Sequence, residues 1–205
     1  AALLGAEAAY VGSIGADREG KILKNALESI GVDLSQCIFD PEATTKKCDV
    51  NVIEGERHYI GCDLGTKWAH TTTIRTEDVE YLKTFDVIHT SCNAKLHEDV
   101  YKLKDLTGMV TFDFSVKDKY RTEEFLNMTC PYLELGQFSC DHMEEPEIQE
   151  LLKKAADEKY QIFILTHNIH FYLNCRYKWW KGYKKSEYDK STIHLRKCDI
   201  KTELQ

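Results

Sequence analysis

The sequence predicts an α/β fold in which a mostly parallel, doubly wound sheet has helices on both faces and carries a small projecting β hairpin. Three observations lead to this prediction. A short apolar segment near the N-terminus ends at a glycine and leads into a helical repeat. Two segments of alternating apolar residues flank a small turn, and from residue 76 onward strand-like and helix-like segments alternate. Alternating β and α units are typical of parallel sheets, because each return crossover needs a connecting helix.

The N-terminal unit is predicted to be a strand, a turn and a helix. The strand lies within residues 6–14, and apolar residues then recur at helical spacing over residues 22–30. Asp17 can cap this helix by accepting a backbone N–H, and Gly31 lies where a left-handed C-terminal cap is expected. Both ends of the helix are therefore marked in the sequence.

A β hairpin is predicted over residues 48–62. Its apolar residues alternate on both sides of the turn at Gly55-Glu56. The hairpin does not fit the β–α rhythm of the rest of the chain, so we expect it to project beside the main sheet and to act as a lid.

The remaining segments continue the alternation. Helices are predicted over residues 76–83, 97–106, 121–128 and 146–155, and strands over residues 86–91, 109–114, 132–135 and 160–166. Ligands of such sheets bind in the crevice at the carboxyl ends of the strands. The positions to examine for a site are therefore Ser91, residues 113–115 and residues 135–139.

Composition excludes several classes of function. The hydrophobic fraction of 42% and the charged fraction of 30% are ordinary for a soluble protein, and no apolar run approaches the ~18 residues of a membrane span. Residues 1–166 hold 18 of the 27 Lys and Arg but 30 of the 34 Asp and Glu, a net charge of −12, which disfavours nucleic-acid binding. Residues 167–205 carry +5 and are predicted to be a divergent basic tail.

The eight cysteines are predicted to be reduced, because they are scattered singly and no pair has C-x-x-C spacing. The first ten residues lack both a basic leader and a long apolar stretch, so a cytoplasmic protein is expected.

His167, His170 and Cys175 match no strong metal-binding spacing, and no metal site is predicted from them. The Trp179-Trp180 pair among lysines fits base stacking, a membrane surface or a non-native tail, and the last of these is preferred.

Several motifs occur in the order found in one family. Gly15 to Gly20 reads G-x-D-x-x-G at the start of a helix, Gly31-Val32-Asp33 follows at its end, and Gly55-Glu56-Arg57 lies in the hairpin. Together with Thr111-Phe112-Asp113-Phe114-Ser115, they resemble the PfkB, or ribokinase-like, carbohydrate kinases. The runs DVIHTS and FDFS, the latter followed by Lys117, are most similar to the fructoselysine and fructosamine kinases of that family.

The resemblance implies a ribokinase-like sheet with a β lid and an enzyme that transfers the γ-phosphoryl group of ATP, with Mg²⁺, to a hydroxyl of a sugar or sugar-amine. A nucleoside acceptor is an alternative, and a homodimer formed through the lid is left open. The resemblance assigns substrate binding to Arg57, Asp113, Ser115 and Lys117. It assigns cofactor binding to Ser139 and Asp141, because Ser139-Cys140-Asp141-His142 stands where the family has N-x-x-E.

The chain also departs from the family pattern. The sugar-contacting G-G-x-x-x-N motif would lie before Ala1, the match ends near residue 166, and the G-A-G-D motif is absent from the 205 residues. That motif provides the catalytic Asp and the backbone N–H groups that stabilise charge during phosphoryl transfer. Residues 1–166 are therefore predicted to be a kinase domain truncated at both ends, with little or no turnover. The alternative is a non-catalytic module that binds a carbohydrate or a partner chain.

Overall fold

The computed structural model describes residues 1–54, 56–66, 73–140, 143–155 and 161–165. The chain divides into two compact units, Ala1–Thr84 and Phe85–Gln205. The first unit contains β1 (Ser13–Gly15), α1 (Arg18–Ser29), β2 (Ile38–Asp40), β3 (Lys47–Ile53), β4 (Glu56–Asp63) and α2 (Thr76–Leu82). The second contains β5 (Val87–Ser91), β6 (Met109–Asp113), α3 (Glu123–Thr129), β7 (Leu135–Ser139), α4 (Glu145–Ala155) and β8 (Gln161–Leu165). Within these ranges, no helix combines the length and apolarity needed to cross a bilayer.

Helix α1 begins and ends as the sequence predicts. The Asp17 carboxylate accepts the backbone N–H of Gly20 at 2.9 Å, and Gly31 has a φ of +77° just after the helix. The preceding strand is shorter than predicted, because β1 covers only Ser13–Gly15, paired in parallel with β2. Upstream of it, Ala9 forms an isolated bridge with Asp33.

The G-x-D-x-x-G segment joins β1, α1 and the loop after β2. The second Asp17 oxygen accepts the N–H of Thr45 at 2.8 Å, and the Thr45 hydroxyl accepts the N–H of Gly15 at 3.0 Å. The first turn of α1 lies directly against β1, since a Cβ added to Gly20 would stand 1.9 Å from the carbonyl oxygen of Gly15. The motif is therefore explained by close packing and capping.

Asp17 should make the stability of the chain depend on pH. The backbone hydrogen bond from Thr45, followed by that from Gly20, lowers the pKa of Asp17 despite some desolvation. A pKa lowered by folding gives a stabilisation that is present above the unfolded value, about 3.9, and is lost as the pH falls through the folded value. We expect Asp17→Asn to lower the urea midpoint near neutral pH, and this difference from wild type to shrink below about pH 4.

The control for this prediction is Asp105→Asn, because Asp105 is exposed on the second unit. Urea midpoints of the wild type and both variants are compared across the acid range. A difference between wild type and Asp17→Asn that stays constant with pH would contradict the prediction.

The predicted hairpin is confirmed as the antiparallel pair β3–β4, but the expectation that every cysteine is reduced is wrong. Cys48 and Cys62 face each other across the two strands and are joined by a disulfide, with their Cα atoms 4.1 Å apart. Their pairing depends on the register of the hairpin, which cysteine spacing alone does not give. Four other described cysteines are outside any disulfide, namely Cys37, Cys92, Cys130 and Cys140.

The second unit contains a four-stranded parallel sheet in the order β5-β6-β7-β8. Helix α3 connects β6 to β7, and α4 connects β7 to β8, as expected for βαβ units. The helix predicted over 97–106 is wrong, because only Val100–Leu103 forms a 3-10 helix there. The strand predicted over 132–135 is also misplaced, because Cys130–Tyr132 is a 3-10 turn and β7 begins at Leu135.

Aromatic side chains fill the core beneath the strand ends. Phe112, Phe114 and Phe138 are fully buried, and the rings of Phe114 and Phe138 stack with their centroids 4.3 Å apart. Phe125 of α3 packs against Phe112 and Phe114 from the helix side. This rigid layer supports the carboxyl ends of β6 and β7, where the candidate site lies.

Candidate functional site

Polar side chains stand at the carboxyl ends of three adjacent parallel strands. Ser91 ends β5, Asp113 ends β6 and Ser139 ends β7. Ser91 pairs directly with Asp113, and Asp113 pairs with Gln137, so β7 extends two residues further at this edge. All three side chains are partly exposed, so they are available to a ligand in the crevice.

Asp113 and Ser115 form a tight turn at the end of β6. The Asp113 Oδ1 atom accepts the backbone N–H of Ser115 at 2.7 Å, and Ser115 has a φ of +60°. Such a φ is uncommon for a residue other than glycine, and it is sustained here by the carboxylate hydrogen bond. The turn therefore holds the backbone of Ser115 against the Asp113 carboxylate at the carboxyl end of β6.

The loop after β6 is tied to the end of β7. The N–H of Phe114 donates to the carbonyl of Gln137 at 2.8 Å, and the N–H of Ser139 donates to the carbonyl of Ser115 at 3.2 Å. The ladder between the two strands is thus continued beyond Asp113. Ser115 and Ser139, predicted to contact different ligands, are brought together by these bonds.

The side chain of Arg121 also connects the loop after β6 to the end of β7. Its side chain is only 6% exposed, and Nη2 donates to the carbonyl of Ser115 at 3.2 Å and to the carbonyl of Ser139. Nη1 lies 2.8 Å from the sulfur of Met143 and 3.7 Å from the exposed carboxylate of Asp118. Both carbonyls accept from the same terminal nitrogen, Nη2, while Nη1 of the planar guanidinium faces Met143 and Asp118.

Arg121 is a site residue that the sequence analysis missed. In the sequence it stands just before a helix, where an arginine is ordinarily a solvated residue. Its burial depends on the loop between β6 and α3, which folds back under the strand ends through the 3-10 turn Asp118–Tyr120. An alignment of relatives, rather than a single sequence, would be the means of finding such a residue.

The other predicted site residues have different outcomes. Lys117 is exposed on the same loop as Asp113 and Ser115, immediately before the 3-10 turn. Arg57 lies in β4, where its backbone pairs with Val52, but its side chain is outside the described part of the chain. Asp141 is also outside the described residues. The structure therefore brings together Asp113, Ser115 and Ser139, with Lys117 on the same loop.

The described residues do not by themselves make a site for ATP with magnesium. Ser139 supplies one hydroxyl at the strand end, and its carbonyl is already bound by Arg121. Across the ranges that the structure describes, no three His, Cys, Asp or Glu residues are grouped so that they could hold a metal ion.

Two buried thiols of the second unit, Cys92 and Cys130, are poor nucleophiles. Burial, together with the nearby charge of Asp113, raises the pKa of Cys92 to about 11. Burial likewise raises the pKa of Cys130 to about 11. Since the thiolate is the reactive form of cysteine, these two residues contribute packing and no covalent chemistry.

Comparison with known proteins gives a consistent result. Residues 1–116 match the family described as pfkB family carbohydrate kinase. The chain is 30% identical over 156 residues to the fructosamine kinase FrlD of Bacillus subtilis (strain 168), an alignment that covers 74% of this chain and 52% of that protein. The chain thus spans about half the length of this curated relative.

Solved structures show the same fold at low sequence identity. A PfkB protein from Polaromonas sp. JS666 has a TM-score of 0.62 at 13% identity, with 81% of this chain and 63% of that chain covered. The aminoimidazole riboside kinase of Salmonella enterica, solved with aminoimidazole riboside and an ATP analog, has a TM-score of 0.57 at 17% identity. That match covers 80% of this chain and 59% of the kinase. These likenesses confirm the predicted α/β fold class.

Proposed function

Because the chain belongs to the pfkB family of carbohydrate kinases and has its ribokinase-like fold, we propose that it derives from an ATP-dependent kinase of sugars or sugar-amines. In that reaction the γ-phosphoryl group of ATP is transferred to a hydroxyl of the acceptor, with Mg²⁺ as the accompanying ion. The ATP analog in the Salmonella enterica kinase supports ATP as the donor. We further propose that the 205-residue polypeptide keeps the acceptor-binding edge and does not turn over.

The observation that carries the proposal is the junction at the carboxyl ends of β6 and β7, where Asp113 and Ser115 lie beside Ser139. The resemblance assigns Ser139 to the cofactor, and the proposal gives its hydroxyl to the acceptor instead. A carboxylate and two hydroxyls are the groups that recognise sugar hydroxyls, because they accept and donate hydrogen bonds in fixed directions. Their position is where open parallel sheets bind ligands. Arg121 and the Phe114–Phe138 stack fix the backbone beneath them. The edge is therefore preorganised for a polar ligand.

A fructosamine such as fructoselysine is the acceptor that we favour. This choice rests on the 30% identity to fructosamine kinase FrlD over 156 residues. Asp113 would accept hydrogen bonds from sugar hydroxyls. Lys117, exposed on the same loop, would attract the carboxylate of the amino-acid part. A nucleoside acceptor is the alternative, and an assay with adenosine as the acceptor tests it.

The proposed loss of turnover rests on the chemistry that the sequence lacks. The 205 residues contain no G-A-G-D motif, and Gly182 is the sole glycine after residue 166. Phosphoryl transfer needs a base for the attacking hydroxyl and N–H donors for the developing charge, usually at a helix N-terminus. This absence favours a non-catalytic binding module as the second candidate for the polypeptide as it stands.

The setting of the protein follows from the same proposal. We propose a cytoplasmic protein with small-molecule ligands and no membrane partner, as its family implies. We also propose no nucleic-acid partner, because residues 1–166 are acidic. A homodimer through the hairpin is supported by large apolar side chains exposed there, namely Val52, Ile53, Tyr59 and Ile60. Such a group of exposed apolar residues is typical of an interaction surface.

Calorimetric titration with fructoselysine tests the acceptor-binding edge. Asp113→Asn keeps an oxygen that can accept the N–H of Ser115 but loses the charge, so the turn persists while hydrogen bonds to sugar hydroxyls weaken. We expect the Kd for fructoselysine to rise by roughly tenfold to a hundredfold, since a hydrogen bond to a charged group contributes about 1.5–3 kcal/mol. Asp105→Asn is the matched control and should bind like wild type.

The same preparation is assayed for phosphorylation of fructoselysine, fructose and adenosine with ATP and Mg²⁺. We expect no product above the protein-free blank. Robust turnover would overturn the proposed loss of transfer chemistry while leaving the family assignment intact. Absence of fructoselysine binding, or unchanged binding by Asp113→Asn, would overturn the proposed acceptor site.

A further inference from the structure

The Cys48–Cys62 disulfide contains the most exposed of the described cysteines. Cys62 is exposed and Cys48 is half-buried, both on the hairpin. By contrast, Cys92, Cys130 and Cys140 are buried, and burial raises the pKa of Cys37 as well as those of Cys92 and Cys130. Exchange requires an accessible thiolate, and among the described cysteines Cys62 alone is exposed, whereas Cys37 and Cys48 are half-buried.

The hairpin has little else to hold its strands together. Apart from Cys48, every residue of β3 is exposed, as is β4 from His58 to Asp63. The ladder is interrupted between Asp49 and Val50, directly beside the disulfide. An isolated two-stranded hairpin is marginally stable at best, because it lacks core packing. The covalent link closes the segment between Cys48 and Cys62, which contains this irregularity and the outer strands, and so limits how far the outer strands can separate.

Hydrogen bonds that do not involve the disulfide hold the base of the hairpin together. The N–H of Thr44 donates to the hydroxyl of Thr66 at 2.9 Å, and the N–H of Thr66 donates to the hydroxyl of Thr44 at 3.0 Å. The Nζ atom of Lys47 also lies 3.9 Å from Oε1 of Glu19. Reduction of the disulfide should accordingly free the strands beyond Asp49 and leave the base in place.

We propose that Cys48 and Cys62 form a reversible redox-modification site that exchanges with a low-molecular-weight disulfide such as glutathione disulfide, and that this exchange orders or releases the outer part of the hairpin. In a reducing compartment, which the proposed cytoplasmic location implies, the disulfides that form are usually transient and either catalytic or redox-sensing. The proposal stands whether or not the strand ends of the second unit bind a sugar.

Oxidation proceeds in two exchanges. The deprotonated thiol of exposed Cys62 attacks one sulfur of glutathione disulfide, and a mixed disulfide forms as one glutathione thiolate leaves. The thiolate of Cys48 then attacks the Cys62 sulfur, and the second glutathione thiolate leaves as the Cys48–Cys62 bond forms. Two protein thiols are oxidised, one glutathione disulfide is reduced, and the two thiol protons pass to the two glutathione thiolates.

Hydrogen exchange measured by mass spectrometry tests the structural effect on the full chain. On reduction with dithiothreitol, we expect amides in residues 50–53 and 58–60 to exchange at least about tenfold faster, because the link restrains the open state. The amides of Thr44 and Thr66 should change little. Equal exchange of residues 50–53 in both forms would overturn the proposal.

Cysteine variants test the chemistry by alkylation and peptide mapping in glutathione redox buffers. Cys48→Ser should accumulate one glutathione adduct at Cys62, and the double variant Cys48→Ser with Cys62→Ser should exchange hydrogen like the reduced wild type whether or not dithiothreitol is present. Cys37→Ser is the control and should keep the full response. A disulfide mapped to any other pair, or a response lost in Cys37→Ser, would contradict the assignment.

Discussion

Replacing Arg121 with methionine should lower the free energy of unfolding by about 3 kcal/mol or more, because two hydrogen bonds from a charged donor are lost and each contributes about 1.5–3 kcal/mol. The carbonyl of Ser139 loses its guanidinium donor, and the carbonyl of Ser115 keeps only the N–H of Ser139. Since Arg121 is 6% exposed, water cannot readily replace the lost donors. Urea denaturation of the wild type and the variant measures the difference.

Two further variants separate this effect from a general loss of charge. Arg18→Met removes an exposed arginine of α1 and should change the free energy of unfolding by no more than about 0.5 kcal/mol. Arg121→Lys should fall between the two, since lysine keeps a charged donor but has no second nitrogen to replace Nη1 beside Met143 and Asp118. A free energy of unfolding for Arg121→Met within error of wild type would show that Arg121 does not hold the strand ends.

Replacing Gly20 with alanine should destabilise the chain by about 3 kcal/mol, at the upper end of the usual cost of overpacking. The added Cβ would stand 1.9 Å from the carbonyl oxygen of Gly15 and 2.8 Å from the hydroxyl of Thr45. The Gly15 oxygen is backbone, so relief requires α1 to move away from β1. The measurement is the midpoint of urea unfolding followed by circular dichroism.

The matched control is Gly61→Ala on β4. A Cβ there would meet no heavy atom within 4 Å, and Gly61 does not have a positive φ. This variant should unfold within about 0.5 kcal/mol of wild type. If Gly20→Ala were as stable as Gly61→Ala, the close packing assigned to the G-x-D-x-x-G segment would be wrong.

Features set by local chemistry could be predicted from the sequence. Helix α1 begins at a cap formed by Asp17 and ends at a left-handed glycine, and both interactions involve residues close in sequence. The hairpin was likewise predicted from alternation around a turn. Asp113 and Ser139 were placed at strand ends, because parallel strands of one sheet share a carboxyl edge.

Features set by tertiary contacts could not be predicted in this way. Val100 and Leu103 are buried three residues apart, a spacing that a 3-10 helix satisfies as well as an α-helix does. Glycine is disfavoured inside strands, so Gly136 argues against a strand where β7 lies. Glycine suits this position because a Cβ added there would stand only 3.1 Å from the ring of Phe114. The Cys48–Cys62 disulfide depends on the register of two strands, and the role of Arg121 depends on a fold-back of its loop.

The predicted boundary near residue 166 stays a prediction, because residues 166–205 are outside the described part of the chain. The roles of Arg57 and Asp141 stay predictions for the same reason. The candidate site is thus defined by the carboxyl ends of β6 and β7. Its strongest part is the Asp113–Ser115 turn, which the hydrogen bonds from Ser139 and Arg121 join to β7.

The most direct test of the account is the backbone amide NMR spectrum of the chain titrated with fructoselysine. The account predicts saturable shifts of the Ser115 and Ser139 amides at the joined ends of β6 and β7, and loss of these shifts in Asp113→Asn. Saturable shifts confined to residues remote from this edge, or no saturable shift at all, would contradict it.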